Sequence, residues 1–293
     1  MKNHHHSPHL VIRDVTLRDG LQNLPGVIST ADKLDLLDAL IDAGVKEFQI
    51  TSFVSAARVP QMNDAEAVYA GSVKRGLSPN VLVVILKGFD RAVSAGVKSI
   101  DAVLSASNTH NRRNANRTTL ESANEIITML SRAAHAGARV GVNIANSFHC
   151  ASEGAIDPEM ILALMRGFHD SGVRFVCLSD TTGQAKADAV AHLVDKCLHM
   201  GVDVGLHLRD THGRAGENAR AGYKAGARCF DAALSGLGGS PFTPGVGGNL
   251  SLETADAVFA EAGVATGLVA SKLATAREKM AGITAAAAKA GAA

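Results

Sequence analysis

The stretch Gly205-Leu206-His207-Leu208-Arg209-Asp210-Thr211-His212-Gly213 sets a short apolar run, residues 202–208, against a dense group of titratable side chains. If the run is a strand, alternation puts His207 and Arg209 on one face and Leu208 on the other. An imidazole and a guanidinium on the inner face of a strand end supply an acid–base group beside a permanent cation. The bland alternative is a His and an Arg on a solvated loop. Similar furnishing follows other apolar runs: Thr16-Leu17-Arg18-Asp19-Gly20-Leu21-Gln22-Asn23, then Gln49-Ile50-Thr51-Ser52-Phe53-Val54. Further along come Ser105-Ala106-Ser107-Asn108 leading to Arg112-Arg113-Asn114, then Asn143 with Asn146-Ser147-Phe148-His149-Cys150, then Ser179-Asp180-Thr181-Thr182-Gly183. Any one of these is explained as a cap or a turn. Their recurrence at the same end of consecutive runs argues for an enzyme.

An internal repeat supplies the elements that would position these groups. A small residue and a glycine close a helical stretch and an apolar run follows, at Gly44, Gly76, Gly96, Gly137, Gly172, Gly201 and Gly226. With an opening strand at 10–15 this gives eight strands. Runs such as 81–86 and 175–178 are continuously apolar, as in a parallel sheet covered on both faces. The intervening segments read as amphipathic helices. In 31–43, Leu34, Leu37, Leu40 and Ile41 recur at helical spacing against Asp32, Lys33, Asp35 and Asp38, with Thr30 as the expected cap. Eight β-then-α units predict an α/β fold, a (β/α)8 TIM barrel, with a doubly wound sheet as the weaker competitor. The expected organisation is a disordered His-rich start at 1–9, a barrel at 10–267, and a C-terminal helix with a frayed Ala-rich tail at 268–293.

Composition bounds the class. The 293 residues are 46% hydrophobic and 19% charged, with a formal net charge of +1. That balance gives no support for nucleic acid or an anionic membrane surface as partner. No apolar run approaches the ~18 residues a spanning helix needs. Cys150, Cys177, Cys197 and Cys229 lack any CxxC spacing, so neither a zinc knuckle nor a disulfide framework is implied. A reduced, cytoplasmic protein is the expectation. The glycine-rich loop from Gly236 to Asn249 lacks the Lys-Ser/Thr ending of a P-loop and reads as a lid over the barrel mouth.

These motifs resemble the 3-hydroxy-3-methylglutaryl-CoA lyase family, TIM-barrel metallolyases related to isopropylmalate and homocitrate synthases, over about residues 11–267. The resemblance rests on Arg18-Asp19-Gly20-Leu21-Gln22-Asn23, Thr51-Ser52-Phe53-Val54-Ser55 with Val59-Pro60-Gln61-Met62, the Leu237-Gly238-Gly239 loop and Gly248-Asn249-Leu250. It implies retro-Claisen cleavage of a 3-hydroxy-3-carboxymethyl acyl-CoA, or a related hydroxy acid, to acetyl-CoA and a keto acid. It also implies a divalent metal, Mg²⁺ or Mn²⁺, a homo-oligomer, and a small-molecule acyl-CoA substrate. Carried over position by position, the metal ligands fall on Asp19, His207 and Asn249, with Arg209 where the family has a second histidine. Arg18 falls on the arginine that stabilises the enolate.

Three departures cluster. Arg209 has no lone pair to give a metal. Gln49 stands where a glutamate is expected, and Ser240 where the lid carries a proton-transferring cysteine. A hydroxyl is far less acidic than a thiol of pKa near 8.5, so Ser240 needs an adjacent base to replace it. Either the metal is kept by Asp19, His207 and Asn249, with His212 swinging in, or Arg209 replaces it and forks a substrate carboxylate; the second is preferred. The candidate catalytic residues are Arg18, Asp19, Arg209 and Ser240. Candidate substrate contacts are Gln22, Gln49, Asn143, Asp180, Thr182 and Arg113, with Arg112 and Arg113 suited to coenzyme phosphates. An aldolase or condensing enzyme, or a reduced paralogue that binds acyl-CoA or an organic acid without turnover, are the alternatives.

Overall fold

All seven junction glycines adopt positive φ, the left-handed backbone that ends a helix without steric cost to glycine. Each therefore stops a helix and aims the chain into the next strand. A computed structural model describes residues 9–239 and 247–291; Ser240 and the His-rich start lie outside the described residues. Five strands come first: β1 (Val11–Asp14), β2 (Glu47–Ser52), β3 (Asn80–Val83), β4 (Ser99–Ser105) and β5 (Arg139–Ala145). A small antiparallel hairpin follows, β6 (His149–Cys150) and β7 (Gly154–Ala155), then β8 (Phe175–Asp180), β9 (Asp203–Leu208) and β10 (Cys229–Ala232). The eight longer strands pair in parallel in chain order, and β1 closes on β10 to complete a barrel. This is the predicted (β/α)8 architecture. The expected strand at 81–86 is cut short because Leu86 already opens a helix.

Helices α1 (Thr30–Asp42), α2 (Ala65–Val73), α3 (Leu86–Ser94), α4 (Asn108–Ala115), α5 (Thr119–Ala136), α6 (Pro158–Asp170), α7 (Ala187–His199), α8 (Ala215–Ala225) and α9 (Leu252–Glu261) surround the barrel. The apolar core lies between helices and strands, where Leu36, Leu37, Leu40, Phe48, Ile126 and Val142 are buried. Each such side chain contributes about 1.5–3 kcal/mol. The cap of α1 is Ser29 rather than Thr30: its Oγ accepts from the Asp32 amide and donates to the Asp32 carboxylate. Lys33, expected on the polar face, is buried. Its ammonium donates to the Gln61 carbonyl and pairs with Asp64 at 2.6 Å. Gln61 in turn grips the 24–28 loop through the Leu24 and Gly26 carbonyls and the Ile28 amide. The Val59-Pro60-Gln61-Met62 motif thus holds the chain leading away from Arg18 and Asp19 against the barrel. The last helix, α10 (Ala270–Gly291), packs along α1, with Lys279 paired to Asp35. It runs on through the Ala-rich stretch because alanine is the best helix former and Ala287 is buried. Among the described residues no helix is long and apolar enough to cross a membrane.

The barrel interior is not apolar. Register places Arg13 on β1 opposite Asp231 on β10, and Asp231 opposite His207 on β9. Arg13 bridges the Asp231 and Asp101 carboxylates at 2.7 Å each. Charges taken from water cost several kcal/mol each unless paired this closely. That pairing prepares the site at the barrel's C-terminal end.

Candidate active site

The site begins at the end of β1. The chain turns there through a single π-type turn, Thr16–Gly20, which buries both Arg18 and Asp19. Turn formation so close to the strand is secured by Asp14, which accepts from the Thr16 amide and hydroxyl. Across the mouth, Arg209 leaves the end of β9 and its backbone pairs with that of Asn249. The strand end therefore fixes the returning end of the glycine-rich loop. Between these two elements stands Asp19. Its Oδ1 accepts from Arg18 Nη1 at 2.6 Å and from Gln22 Nε2 at 2.9 Å. Its Oδ2 forms an ion pair with Arg209 Nη2 at 2.8 Å and accepts from Asn249 Nδ2 at 2.9 Å. Burial alone would raise this carboxyl. Arg209 and then Arg18 outweigh burial and hold it at about 2.

Gly238 covers the group at φ +142°, and a methyl there would meet Asn249 Nδ2 at 2.2 Å and Asp19 Oδ2 at 2.8 Å. Only glycine permits this approach. Arg18 Nε, Arg209 Nε and Nη1, and Asn249 Oδ1 are buried with no hydrogen-bond partner among the described residues. Buried donors without an acceptor are costly and await one from a ligand. Arg18 and Arg209 border a cavity of about 120 Å³ that also takes in Gln22, Asn143, His110 and His207.

His207 is held from behind. Asp231 lies 3.0 Å from its Nδ1 and is itself tied to Arg13. Burial lowers the imidazole pKa against the opposing effect of its hydrogen bond to the Asp231 carboxylate. The Asp231 carboxyl is kept far below its ordinary value because Arg13 and His207 outweigh its burial. A neutral ring donating Nδ1–H to an ionised carboxylate leaves Nε2 as a free acceptor at the cavity wall.

The other expectations divide. Gln22 and Asn143 line the cavity, and Asn143 accepts from the Ser179 hydroxyl at 2.7 Å. Gln49 does not line it. Its amide donates to Asn80 and Asp101 lower in the barrel, since β2 register turns position 49 toward the floor of the barrel. Asp180 accepts the Gln184 and Ala185 amides and so fastens the turn after β8. Thr182 meets His149 on the hairpin, and Arg113 reaches Ser152. These three lie outside the cavity lining, each claimed by a nearer partner. His212 is exposed in the turn after β9 and lines no part of it. Sequence reasoning missed Asp231, Arg13 and His110. A lone charge inside an apolar run was the available signal for the first two, but their meeting depends on barrel register.

As a divalent-metal centre the arrangement does not fit. The Arg209 guanidinium stands where the resemblance places an imidazole ligand. Both Asp19 oxygens are taken by cationic or amide donors. Asn249 turns its Nδ2, not its carbonyl oxygen, toward Asp19. A dication there would meet a permanent charge at contact distance. Among the described residues no three His, Cys, Asp or Glu side chains gather to hold an ion. The bidentate Arg209 fork is modified too, because Nη2 is already given to Asp19.

The chain is 36% identical over 277 residues to the (R)-citramalyl-CoA lyase of Chloroflexus aurantiacus, covering 90% of this chain and 87% of that one. It is 32% identical over 265 residues to the mitochondrial hydroxymethylglutaryl-CoA lyase of Homo sapiens, covering 89% and 82%. An HMG-CoA lyase from Acinetobacter baumannii, solved with coenzyme A and 3-methylmalate, superposes with a TM-score of 0.89 at 32% identity, covering 94% and 92%. The family model described as HMGL-like matches residues 9–280, nearly the whole barrel with its last helix, and on that match the chain belongs to the HMGL-like family.

Proposed function

We propose that this protein is a carbon–carbon lyase acting on the coenzyme A thioester of a 3-hydroxy acid, and that Arg209 takes the place of a metal ion in its site. The observation that carries the reading is the buried Arg18–Asp19–Arg209 ion group, which keeps unpartnered guanidinium nitrogens and borders the cavity together with His207. A second depression of about 620 Å³ adjoins the cavity through Val54, Val59, Val84 and Asn114 and carries Arg58, Lys87, Arg91 and Arg117. Apolar walls with basic side chains suit a pantetheine arm ending in phosphates. This replaces Arg113 as the favoured phosphate contact.

The chemistry follows from the placement. His207 Nε2 accepts the proton of the 3-hydroxyl, and the C–O bond becomes a carbonyl as the adjacent C–C bond breaks. The released pair passes to the acetyl fragment as a thioester enolate. Arg18 and Arg209, fixed on Asp19 before substrate arrives, present positive charge to the developing anion and to the substrate's acid group. The proton held on His207 then returns to the enolate carbon, giving acetyl-CoA and a keto acid. This assigns His207 the proton role expected of a lid cysteine and leaves none for Ser240.

The test is acetyl-CoA release, followed by mass spectrometry, from 3-hydroxy-3-methylglutaryl-CoA, citramalyl-CoA and longer 3-hydroxyacyl-CoAs, before and after chelation. Release unchanged by chelation is expected. Activity lost on chelation and restored by Mg²⁺ or Mn²⁺ would overturn the role given to Arg209. Tight acyl-CoA binding with no release across the panel favours the non-catalytic paralogue instead.

A further inference from the structure

His110 sits in α4 with 7% of its surface exposed, and both ring nitrogens are buried without a hydrogen-bond partner among the described residues. A neutral imidazole carries one donor and one acceptor, and leaving both unmet in the interior is unusual. His110 lines the reaction cavity, whose lining also includes the charged Arg18, Asp19 and Arg209 and the apolar Val54, Val59 and Val103. Its helix is pinned at its start, where the Ser107 hydroxyl accepts the His110 amide at 3.0 Å. The Thr109 amide is held by Glu153 of the β6–β7 hairpin. The imidazole is therefore presented by a fixed backbone and does not hang from a loose turn. Burial, reinforced by Arg113, favours its uncharged form.

Asn114 lies one helical turn further along the same face of α4 and belongs to both the cavity and the outer groove. It marks the seam where an acyl-CoA would pass from its arm to its reacting end. The group of an acyl-CoA at that junction is the thioester. His110 is one turn inward from the seam, and Arg18 borders the same small cavity.

We propose that His110 donates a ring N–H to the thioester carbonyl oxygen of the bound acyl-CoA, completing with Arg18 a two-donor site for the enolate oxygen. The inference rests on the acyl-CoA reading above and adds to it a residue and an atom of the substrate. An uncharged donor and a cation would then share the oxygen. Such donors act most strongly on charge that develops during reaction.

The experiment compares acetyl-CoA with its thioether analogue S-ethyl-CoA, which lacks the carbonyl, by calorimetric titration of the full chain. Wild-type protein is expected to bind acetyl-CoA about tenfold more tightly than the thioether, the worth of one good hydrogen bond. His110→Phe should bind both at the weaker level, His110→Gln should recover part of the preference, and kcat for His110→Phe should fall about 10²–10³-fold. In wild-type protein the ¹⁵N resonances of the His110 ring should move with acetyl-CoA and not with S-ethyl-CoA, a readout that needs no substituted protein to fold. A thioester preference kept by His110→Phe, or ring resonances that respond to both ligands alike, would overturn the proposal. Equal binding of the two ligands by wild-type protein overturns it while leaving the acyl-CoA reading intact. Binding of neither overturns both.

Discussion

Replacing Arg209 by histidine is the most direct probe of what the arginine does. In the native site the Arg209 guanidinium lies 2.8 Å from Asp19 Oδ2, so a divalent ion on that oxygen would sit about 4 Å from a unit positive charge. At an effective dielectric near 20 each unit pair at that distance costs about 4 kcal/mol, hence about 8 kcal/mol for a dication. An opposition of that size weakens metal binding by between 10⁵- and 10⁶-fold, since about 1.4 kcal/mol is tenfold. Arg209→His removes the charge, supplies an imidazole and frees Asp19 Oδ2. The expected outcome is that the variant gains a stoichiometric Mn²⁺ site that the native chain lacks. Electron paramagnetic resonance titration of free Mn²⁺ reads this directly, with His4, His5 and His6 changed to serine in every sample so that they bind nothing. Asp19→Asn in the Arg209→His background should abolish the gained site. If the native protein binds one Mn²⁺ at micromolar concentration, and Asp19→Asn alone removes it, the electrostatic reasoning is wrong.

Three further outcomes follow from the same geometry. Asp231→Asn takes the ionised acceptor from His207 Nδ1, so kcat should fall about 10²–10⁴-fold with little change in KM, measured by steady-state acetyl-CoA release. Gly238→Ala places a methyl 2.2 Å from Asn249 Nδ2 at φ +142°; activity should be lost while the thermal transition moves by no more than a few degrees. Asp19, held at about 2 by Arg209 and Arg18 against its burial, has a folded pKa below that of an unfolded aspartate. Its contribution to stability is therefore complete above about pH 4 and disappears as pH falls toward 2. The difference is worth about 2 kcal/mol. Urea unfolding of Arg209→Met between pH 5 and 2.5 should show a shallower acid dependence than the native chain.

The fold was legible because its signal is local. Helix-ending glycines and apolar runs repeat along the chain, and each unit can be read without knowing its neighbours. The charged half of the site was legible for a similar reason. His207 and Arg209 share one strand face, which alternation alone gives, whereas Arg18, Asp19 and Gln22 follow one another closely after β1 and took their roles from the family resemblance. What failed was partner choice across the barrel. Gln49 follows an apolar run like the others, yet it faces Asn80 on β3 and Asp101 on β4. Asp180 and Thr182 follow another such run, but backbone amides and His149 claim them first. His110 lies in a polar, Asn-rich helix with no apolar stripe to give its orientation. Only the seating of α4 over the barrel mouth turns it inward.

The exchange at 209 also makes sense of residues far from the reaction. Pointing into the barrel are Arg13, Arg18 and Arg209 against Asp19, Asp101 and Asp231, every arginine in contact with at least one of the aspartates. The charges sum to zero with His207 neutral. A dication added to this set leaves two uncompensated charges in the interior, whereas the guanidinium of Arg209 closes it. Gln49 belongs to the same balance. Its amide donates to Asp101 at 3.0 Å, and a glutamate there would set a second carboxylate against Asp101, which Arg13 already shares with Asp231. One reduction of positive charge at the mouth is thus matched by a neutral donor at the floor. The arginine at 209 and the glutamine at 49 are parts of a single electrostatic solution, so Gln49→Glu added to Arg209→His should tighten the Mn²⁺ site that the single substitution creates.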